Sequence, residues 1–249
     1  MTEEIHVDID KRLPPHLREE ANLLAMEEHP ANMVLPDLDT DKPSDVEMAM
    51  DARKMWRPGR VLRIRFLDGH PTVQQRLIEV ANEWTQYANL TFNFGNHAES
   101  ELRITFGQPG SWSYIGTDAK LIAQDQPTMN FGWLKPESNQ ETYSQVVLHE
   151  FGHAIGCIHE HSTPDAGIQW NKQAVYNYYM GPPNNWSKDY VDLNIFDIYA
   201  RGTTKHTQFD PESIMVYPIP KQFTLNGYEV AWRSRLSAMD KAFIGQVYP

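Results

Sequence analysis

The chain has 249 residues, of which 41% are hydrophobic and 11% aromatic, a composition typical of a globular protein with a buried core. Its net charge of −11, without a long run of Lys and Arg, argues against nucleic acid as a partner. The single cysteine excludes an internal disulfide, and no apolar stretch approaches the ~18 residues of a membrane helix, so no membrane partner is expected.

The N-terminal part of the chain differs from the rest. Charged residues and prolines dominate residues 1–55, and no alternating strand pattern occurs there. Apolar residues between positions 17 and 26 have the spacing of one short helix. We therefore predict an N-terminal extension over 1–55, either a pro-segment or an arm on the surface of a main domain that spans 56–249.

The main domain begins with alternating strands and helices. Strands are predicted where apolar and polar residues alternate, and helices where apolar residues recur every three or four positions. The predicted strands are 62–66, 91–94, 102–106, 113–115 and 128–134, and the predicted helices are 73–87, 142–155 and 237–247. Ser237 and Asp240 form a capping-box pattern at the start of the last helix. Irregular structure dominates the later residues, so we predict an α/β half joined to a loop-rich half.

One segment carries the pattern His-Glu-x-x-His-x-x-Gly-x-x-His. Positions i and i+4 share a helix face, so His149 and His153 can bind one metal ion. Glu150 projects about 100° away, where it can reach a water molecule on that ion. Gly156 permits a sharp turn with positive φ, which brings His159 back as a third nitrogen ligand. Three protein ligands leave one position for water, which is the pattern of a catalytic zinc site.

This pattern predicts a peptidase with one Zn²⁺ ion and a peptide or protein substrate. Zinc lowers the pKa of a bound water molecule to about 7, and Glu150 can accept its proton and pass it to the leaving amine. One alternative is a catalytically silent, zinc-containing protein-binding module, although such a module would usually have lost Glu150. Another is a structural site that Cys157 or Tyr217 closes as a fourth ligand. For Cys157, a small buried apolar role is favoured over metal binding.

A second motif lies downstream, where residues 213–217 read Ser-Ile-Met-Val-Tyr. This motif resembles the Met-turn of the metzincin superfamily. Its Ser-Ile-Met-x-Tyr form, combined with Glu160 directly after the third histidine, is similar to the astacin peptidases, a family of that superfamily. The resemblance implies a metzincin fold of the α/β (α+β) class. Its upper half, 56–157, would hold a twisted mixed sheet and two long helices, and its loop-rich lower half, 158–249, would end in a C-terminal helix.

The resemblance also implies roles for single residues. Met215 would form an apolar floor beneath the zinc site, and Tyr217 would bind zinc, swing away and stabilise the tetrahedral oxyanion. In the family, Glu160 binds the α-amino group that removal of the propeptide creates. Metzincins place an edge strand, antiparallel to the bound peptide, ahead of the zinc helix. By resemblance, that strand here is formed by Thr128, Met129, Asn130 and Phe131.

Some features depart from the family. Astacins are typically secreted and carry two disulfides, whereas the single cysteine and the lack of an apolar signal region suggest a cytoplasmic protein. The sequence therefore leaves the compartment open between these two, and it gives no indication of oligomeric state. The family's propeptide places an aspartate on zinc through a Phe-x-Gly-Asp motif, which residues 1–55 lack. Four other aspartates are a weaker hypothesis for such a switch: Asp37, Asp39, Asp41 and Asp45.

A cluster of aromatic residues follows the zinc motif. We interpret it as core, part of which lines the specificity site. Its members are Trp170, Tyr176, Tyr178, Tyr179 and Trp186.

Overall fold

The computed structural model describes residues 8–33, 50–163, 166–182, 184–197, 204–205 and 209–249. The aspartates proposed for a switch, at positions 37, 39, 41 and 45, lie outside these residues. Within the described residues, no helix is long and apolar enough to cross a membrane.

The upper half is built on a mixed sheet. The strands are, in chain order, β1 (Asp8–Lys11), β2 (Met50–Asp51), β3 (Arg60–Phe66), β4 (Leu90–Phe94), β5 (Leu102–Thr105), β6 (Ser111–Tyr114), β7 (Met129–Phe131) and β8 (Thr204–Lys205). Six of them form one sheet in the order β1-β6-β7-β5-β3-β4, and β2 pairs with β8 separately. Within this six-stranded sheet the β6–β7 pair is antiparallel and the other pairs are parallel. The predicted mixed sheet is thus confirmed.

The helices are α1 (Arg18–Glu28), α2 (Pro71–Ala81), α3 (Gln140–Ala154), α4 (Lys172–Tyr179), α5 (Lys188–Val191) and α6 (Ala238–Val247). The capping box of α6 forms as predicted, because Ser237 accepts from the Asp240 amide while the Asp240 carboxylate accepts from the Ser237 amide. The prediction of one helix over 73–87 is wrong at its end. Asn82 turns its side-chain amide back to the Ile78 carbonyl at 2.8 Å, and a separate 3₁₀ turn, Trp84–Gln86, follows.

The main core lies between the sheet and helices α2 and α3. Phe92 and Phe131 both pack against Phe151 of α3, with ring centroids 5.2 and 6.2 Å apart. Helix α6 also packs here, although it belongs in sequence to the predicted lower half, and Phe243 and Ile244 are members of the same buried cluster. These contacts hold α3 rigidly against the sheet.

The N-terminal extension contains a strand, contrary to the sequence prediction. Strand β1 pairs in parallel with β6, from Asp8 opposite Ser111 to Lys11 opposite Tyr114. The hydrogen bonds of a strand pair join backbone groups, so hydrophobic alternation is not required to form them. Helix α1, which the sequence does predict, packs on the 3₁₀ turn Gly116–Leu121.

Polar contacts fasten the end of the extension to the main domain. Glu28 forms ion pairs with Arg60 at 3.1 Å and with Lys120 at 3.2 Å. The buried Asn32 side chain bonds to both backbone groups of Met55, at 2.8 and 3.0 Å. The described part of the extension therefore lies on the surface of the main domain.

The lower half has little regular structure, as predicted. Helices α4 and α5 and the π-helical turn Asp192–Phe196 surround a second buried cluster. Its aromatic members include Tyr179, Tyr217 and Phe223. This cluster adjoins the zinc motif from below.

Candidate metal centre and active site

Helix α3 carries the first half of the zinc motif. Asn139 caps its start by accepting a hydrogen bond from the Thr142 amide at 2.7 Å. His149, Glu150 and His153 lie in its last two turns, and all three side chains are buried. The helix thus presents the two histidines on one face with the carboxylate between them in sequence.

A sharp turn then brings the third histidine back. Gly156 has φ +107°, a conformation that favours glycine, as the sequence predicts. The Cys157 amide donates to the Gly152 carbonyl at 2.9 Å, which closes the turn. His159 follows in extended conformation and is buried beside the other two histidines.

The three imidazoles converge on one point. Nε2 of His159 lies 3.0 Å from Nε2 of His149 and 3.2 Å from Nε2 of His153. Among the described residues, these three histidines form the group whose potential metal ligands all lie within 4.8 Å of one another.

Backbone carbonyls determine the tautomers of two of these rings. Nδ1 of His149 lies 2.7 Å from the Ile214 oxygen, and Nδ1 of His153 lies 2.9 Å from the Cys157 oxygen. Because a carbonyl oxygen can only accept, each Nδ1 carries the proton and each Nε2 of the neutral ring presents a lone pair to the centre. Two nitrogens on one tetrahedral zinc ion at about 2.0–2.1 Å lie roughly 3.3 Å apart. The donor set and its spacing therefore fit zinc.

Cys157 lies within the zinc motif but differs in role from the histidines around it. Its side chain is fully buried, and burial raises the pKa of its thiol well above the ordinary value. Among the described residues, the group of potential metal ligands within 4.8 Å of one another does not include its sulfur. Its backbone oxygen orients His153 instead.

The Met-turn lies directly beneath α3. A methyl group added at Gly152 would lie 2.3 Å from Sδ of Met215, so the glycine permits the close approach of the two segments. Ile214 supplies the carbonyl that orients His149, and its amide donates to the Asp240 carboxylate at 2.8 Å. The turn thus connects the C-terminal helix to a metal-binding ring.

Tyr217 lies at the edge of the histidine cluster. Its ring is buried, 5.4 Å from the His159 ring and 5.1 Å from the His161 ring. Its hydroxyl oxygen accepts a hydrogen bond from the Tyr179 hydroxyl at 3.1 Å. Burial is the main cause that raises the pKa of Tyr179, so this donor stays protonated.

Glu160 is buried behind the third histidine. Its amide donates to the Met215 carbonyl at 3.1 Å, and its carboxylate accepts from the Asp210 amide at 3.5 Å. Asp210 in turn accepts from the Ser237 hydroxyl at 2.8 Å. Glu160 therefore faces the lower half of the molecule and the start of α6.

The predicted substrate edge strand is wrong. Strand β7 pairs on one side with β5 and on the other with β6, so it is an interior strand. Its residues Met129, Asn130 and Phe131, and Thr128 before them, are all buried. With both edges hydrogen-bonded, β7 has no free backbone groups for a peptide.

Two clefts lie beside the three histidines. One, of about 240 Å³, is lined by His161, Trp170, Lys172 and Phe196, and His161 stacks on His159 at 5.1 Å. Trp170, a member of the aromatic cluster, has its ring centroid 6.1 Å from that of His161. Trp232, whose ring is 5.9 Å from His149, lines the other cleft, of about 470 Å³. The sequence analysis did not identify Trp232, because no local motif marks it and its contact with His149 arises only in the folded chain.

Comparisons with known proteins agree with this geometry. A family model described as astacin, a peptidase family, matches residues 48–248. A solved structure of myroilysin is 44% identical, with a TM-score of 0.79, and the match covers 81% of this chain and 98% of that one.

Curated relatives are more distant and longer. The zinc metalloproteinase dpy-31 of Teladorsagia circumcincta is 24% identical over 78% of this chain and 31% of its own length. Bone morphogenetic protein 1 of Xenopus laevis is 25% identical over 78% of this chain and 27% of its own length. The chain thus spans about a third of the length of these relatives. The family match over most of the chain shows that it belongs to the astacin family of metallopeptidases, as its two motifs predict.

Proposed function

We propose that this chain is a zinc-dependent endopeptidase. The observation that carries the proposal is the convergence of three histidine Nε2 atoms, with a buried glutamate on the same helix. His149, His153 and His159 would hold the ion. When bound, zinc lowers the pKa of water and polarises the carbonyl of a peptide bond.

The surrounding residues supply the proton transfers. Glu150 takes a proton from the attacking water molecule and later delivers it to the leaving amine. Tyr217 donates a hydrogen bond to the oxyanion that develops on the carbonyl oxygen. Met215 and Gly156 are structural: the first supports α3 from below, and the second turns the chain towards His159.

Two alternatives have less support. A silent binding module would not need Glu150, which is present and buried on the helix that carries His149 and His153. A closed structural site would need a fourth protein ligand, but Cys157 does not belong to the described group of ligand atoms that lie within 4.8 Å of one another.

We infer that the substrate adds to β6 rather than to β7. Strand β6 borders β7 on one side and β1 of the extension on the other. A substrate main chain could pair with the outer edge of β6 only after β1 has left it. The extension is therefore proposed to be a pro-segment. Met50 and Met55 are buried in the main core, and the family match begins at residue 48, so we place the domain boundary nearer 50 than 55.

The cleft beside Trp232 suggests a preference for acidic side chains. Three basic residues, Arg233, Arg235 and Lys241, line it together with two acidic ones, Glu141 and Glu212, and Arg233 is paired with Glu212 at 2.7 Å. A carboxylate on the substrate would interact favourably with the remaining basic residues. When each substrate position is varied in turn, peptides with Asp at the position that binds this cleft should have a higher kcat/KM than peptides with Ala there. Arg235→Gln should reduce that difference.

Family membership also bears on the compartment. Because astacins are typically secreted, we favour the extracellular alternative of the two that the sequence leaves open. Fractionation of the source organism, with the chain detected by antibody, would test this proposal.

The proposed reaction is tested with casein as substrate. Glu150→Ala should retain zinc and lose hydrolysis by at least ~10²-fold, the usual contribution of a general base. Glu137→Ala, at an exposed loop position before α3, is the matched control and should hydrolyse casein normally. Equal hydrolysis by wild type and Glu150→Ala would refute the mechanism, and bound zinc without any hydrolysis would favour the alternatives.

A further inference from the structure

A hydrogen bond between two buried tyrosines connects the lower-half core to the active site. Tyr179 is the last residue of α4, and its hydroxyl donates to the hydroxyl oxygen of Tyr217 at 3.1 Å. Their exposed fractions are 0% and 2%. A buried hydroxyl that loses its hydrogen-bond partner lowers the stability of the fold, so the folded protein favours the arrangement in which the two hydroxyls are paired.

Aromatic packing holds the donor in place. The Tyr179 ring stacks on Trp186 with a centroid distance of 4.9 Å and an interplanar angle of 21°. Tyr178 and Phe223 pack against the same ring at 5.0 and 5.8 Å. Asn171 caps the first turn of α4 by accepting from the Ala174 amide. Tyr179 therefore has a fixed position on a rigid element.

The partner hydroxyl lies beside the metal centre. The Tyr217 ring has edge contacts with His159 and His161, which hold the ring next to the third histidine of the motif. The bond to Tyr179 then determines where the hydroxyl at the end of this ring lies.

We propose that Tyr179 is a positioning residue, which holds the hydroxyl of Tyr217 in the place from which Tyr217 acts on the substrate. This inference rests on the proposed role of Tyr217 in the oxyanion step. Tyr179 itself touches neither the histidines nor the reacting atoms in this account. Its effect on catalysis should therefore pass entirely through Tyr217.

A double-mutant cycle in kcat and KM tests this dependence. Tyr179→Phe removes one hydroxyl and keeps the ring, and it should lower kcat by about five-fold, the usual net contribution of one hydrogen bond, with little change in KM. In a Tyr217→Phe background, Tyr179→Phe should have no further effect on kcat. Tyr178→Phe is the matched control, since its ring packs in the same cluster, and it should leave kcat unchanged.

Thermal unfolding of the metal-free proteins gives a second readout that does not depend on activity. If the two hydroxyls are partners, the loss in Tm of the double variant should be smaller than the sum of the losses of the single variants. Additive losses would mean that the pair does not interact, and would overturn the inference.

The kinetic outcomes separate this inference from the proposed function. If Tyr217→Phe loses kcat while Tyr179→Phe retains it, the positioning role of Tyr179 is overturned and the role of Tyr217 stands. If Tyr179→Phe lowers kcat by the same factor in the wild-type and Tyr217→Phe backgrounds, the positioning role is also overturned, because Tyr179 would then act through another group. If Tyr217→Phe retains full kcat, the oxyanion role fails and the inference fails with it.

Discussion

The carboxylate of Asp240 joins the last helix to the turn beneath the metal centre, and its titration should control stability. It accepts from the Ser213 hydroxyl at 2.7 Å and from the Ile214 amide at 2.8 Å. Burial raises its pKa to about 6 from the ordinary 3.8, although these hydrogen bonds oppose the shift and nearby Asp210 adds to it. Asp240→Asn removes the charge with almost no change in shape.

The size and sign of the pH effect on stability follow from the pKa of Asp240 in the folded protein and its ordinary pKa in the unfolded chain. Because the folded protein binds the proton more tightly than the unfolded chain, the stabilisation is complete below pH 3.8 and is lost as the pH rises through about 6. The full difference corresponds to about 3 kcal/mol of unfolding free energy. Asp240→Asn cannot titrate at this position and should not show this loss.

Urea unfolding of metal-free wild type and Asp240→Asn, from about pH 4 to about pH 7, measures the effect. Metal-free protein is used because zinc binding is itself pH-dependent. The stability of wild type relative to the variant should fall by up to about 3 kcal/mol over this range, with other titrating groups cancelling in the comparison. A relative stability that stays constant, or that rises with pH, would refute the reasoning.

Three other changes should have measurable effects. Gly152→Ala should lower the unfolding free energy by about 1–3 kcal/mol in urea unfolding, because the new methyl group meets Met215 Sδ; an unchanged midpoint would contradict this packing. Gly156→Ala should weaken zinc binding in chelator competition, because φ +107° is strained for alanine and His159 would shift. Deletion of residues 1–33 should increase kcat/KM for peptides, because β1 then leaves β6; an equal or lower value in a folded truncation would count against a pro-segment.

Local patterns predicted the elements that their own residues stabilise. Leu62 and Ile64 are buried in β3 as their alternation indicates, and the capping box of α6 forms where Ser237 and Asp240 predict it. The helical part of the zinc motif was equally predictable from the sequence, since the helix period alone brings His149 and His153 together. The third histidine required only one further assumption, the turn at Gly156.

Contacts between distant segments could not be predicted in the same way. Strand β1 pairs through its backbone, so the residues of the extension do not reveal it. Strand β7 is short and buried on all sides, and nothing in its own residues distinguishes an interior strand from an edge strand. The hydrogen bond between Tyr179 and Tyr217 joins residues 38 positions apart. The hydrogen bond from the Ile214 amide to Asp240 depends on how α6 packs against the Met-turn.

The central claim is that a zinc ion on the three histidines makes this chain a peptidase, and zinc titration of hydrolysis tests it most directly. The protein is freed of metal with a chelator, and casein hydrolysis is then measured as zinc is added back, with bound metal quantified in each sample. Hydrolysis should be absent without metal and should rise in proportion to bound zinc, reaching its full rate at about one ion per chain. Full hydrolysis by the zinc-free protein would contradict the account.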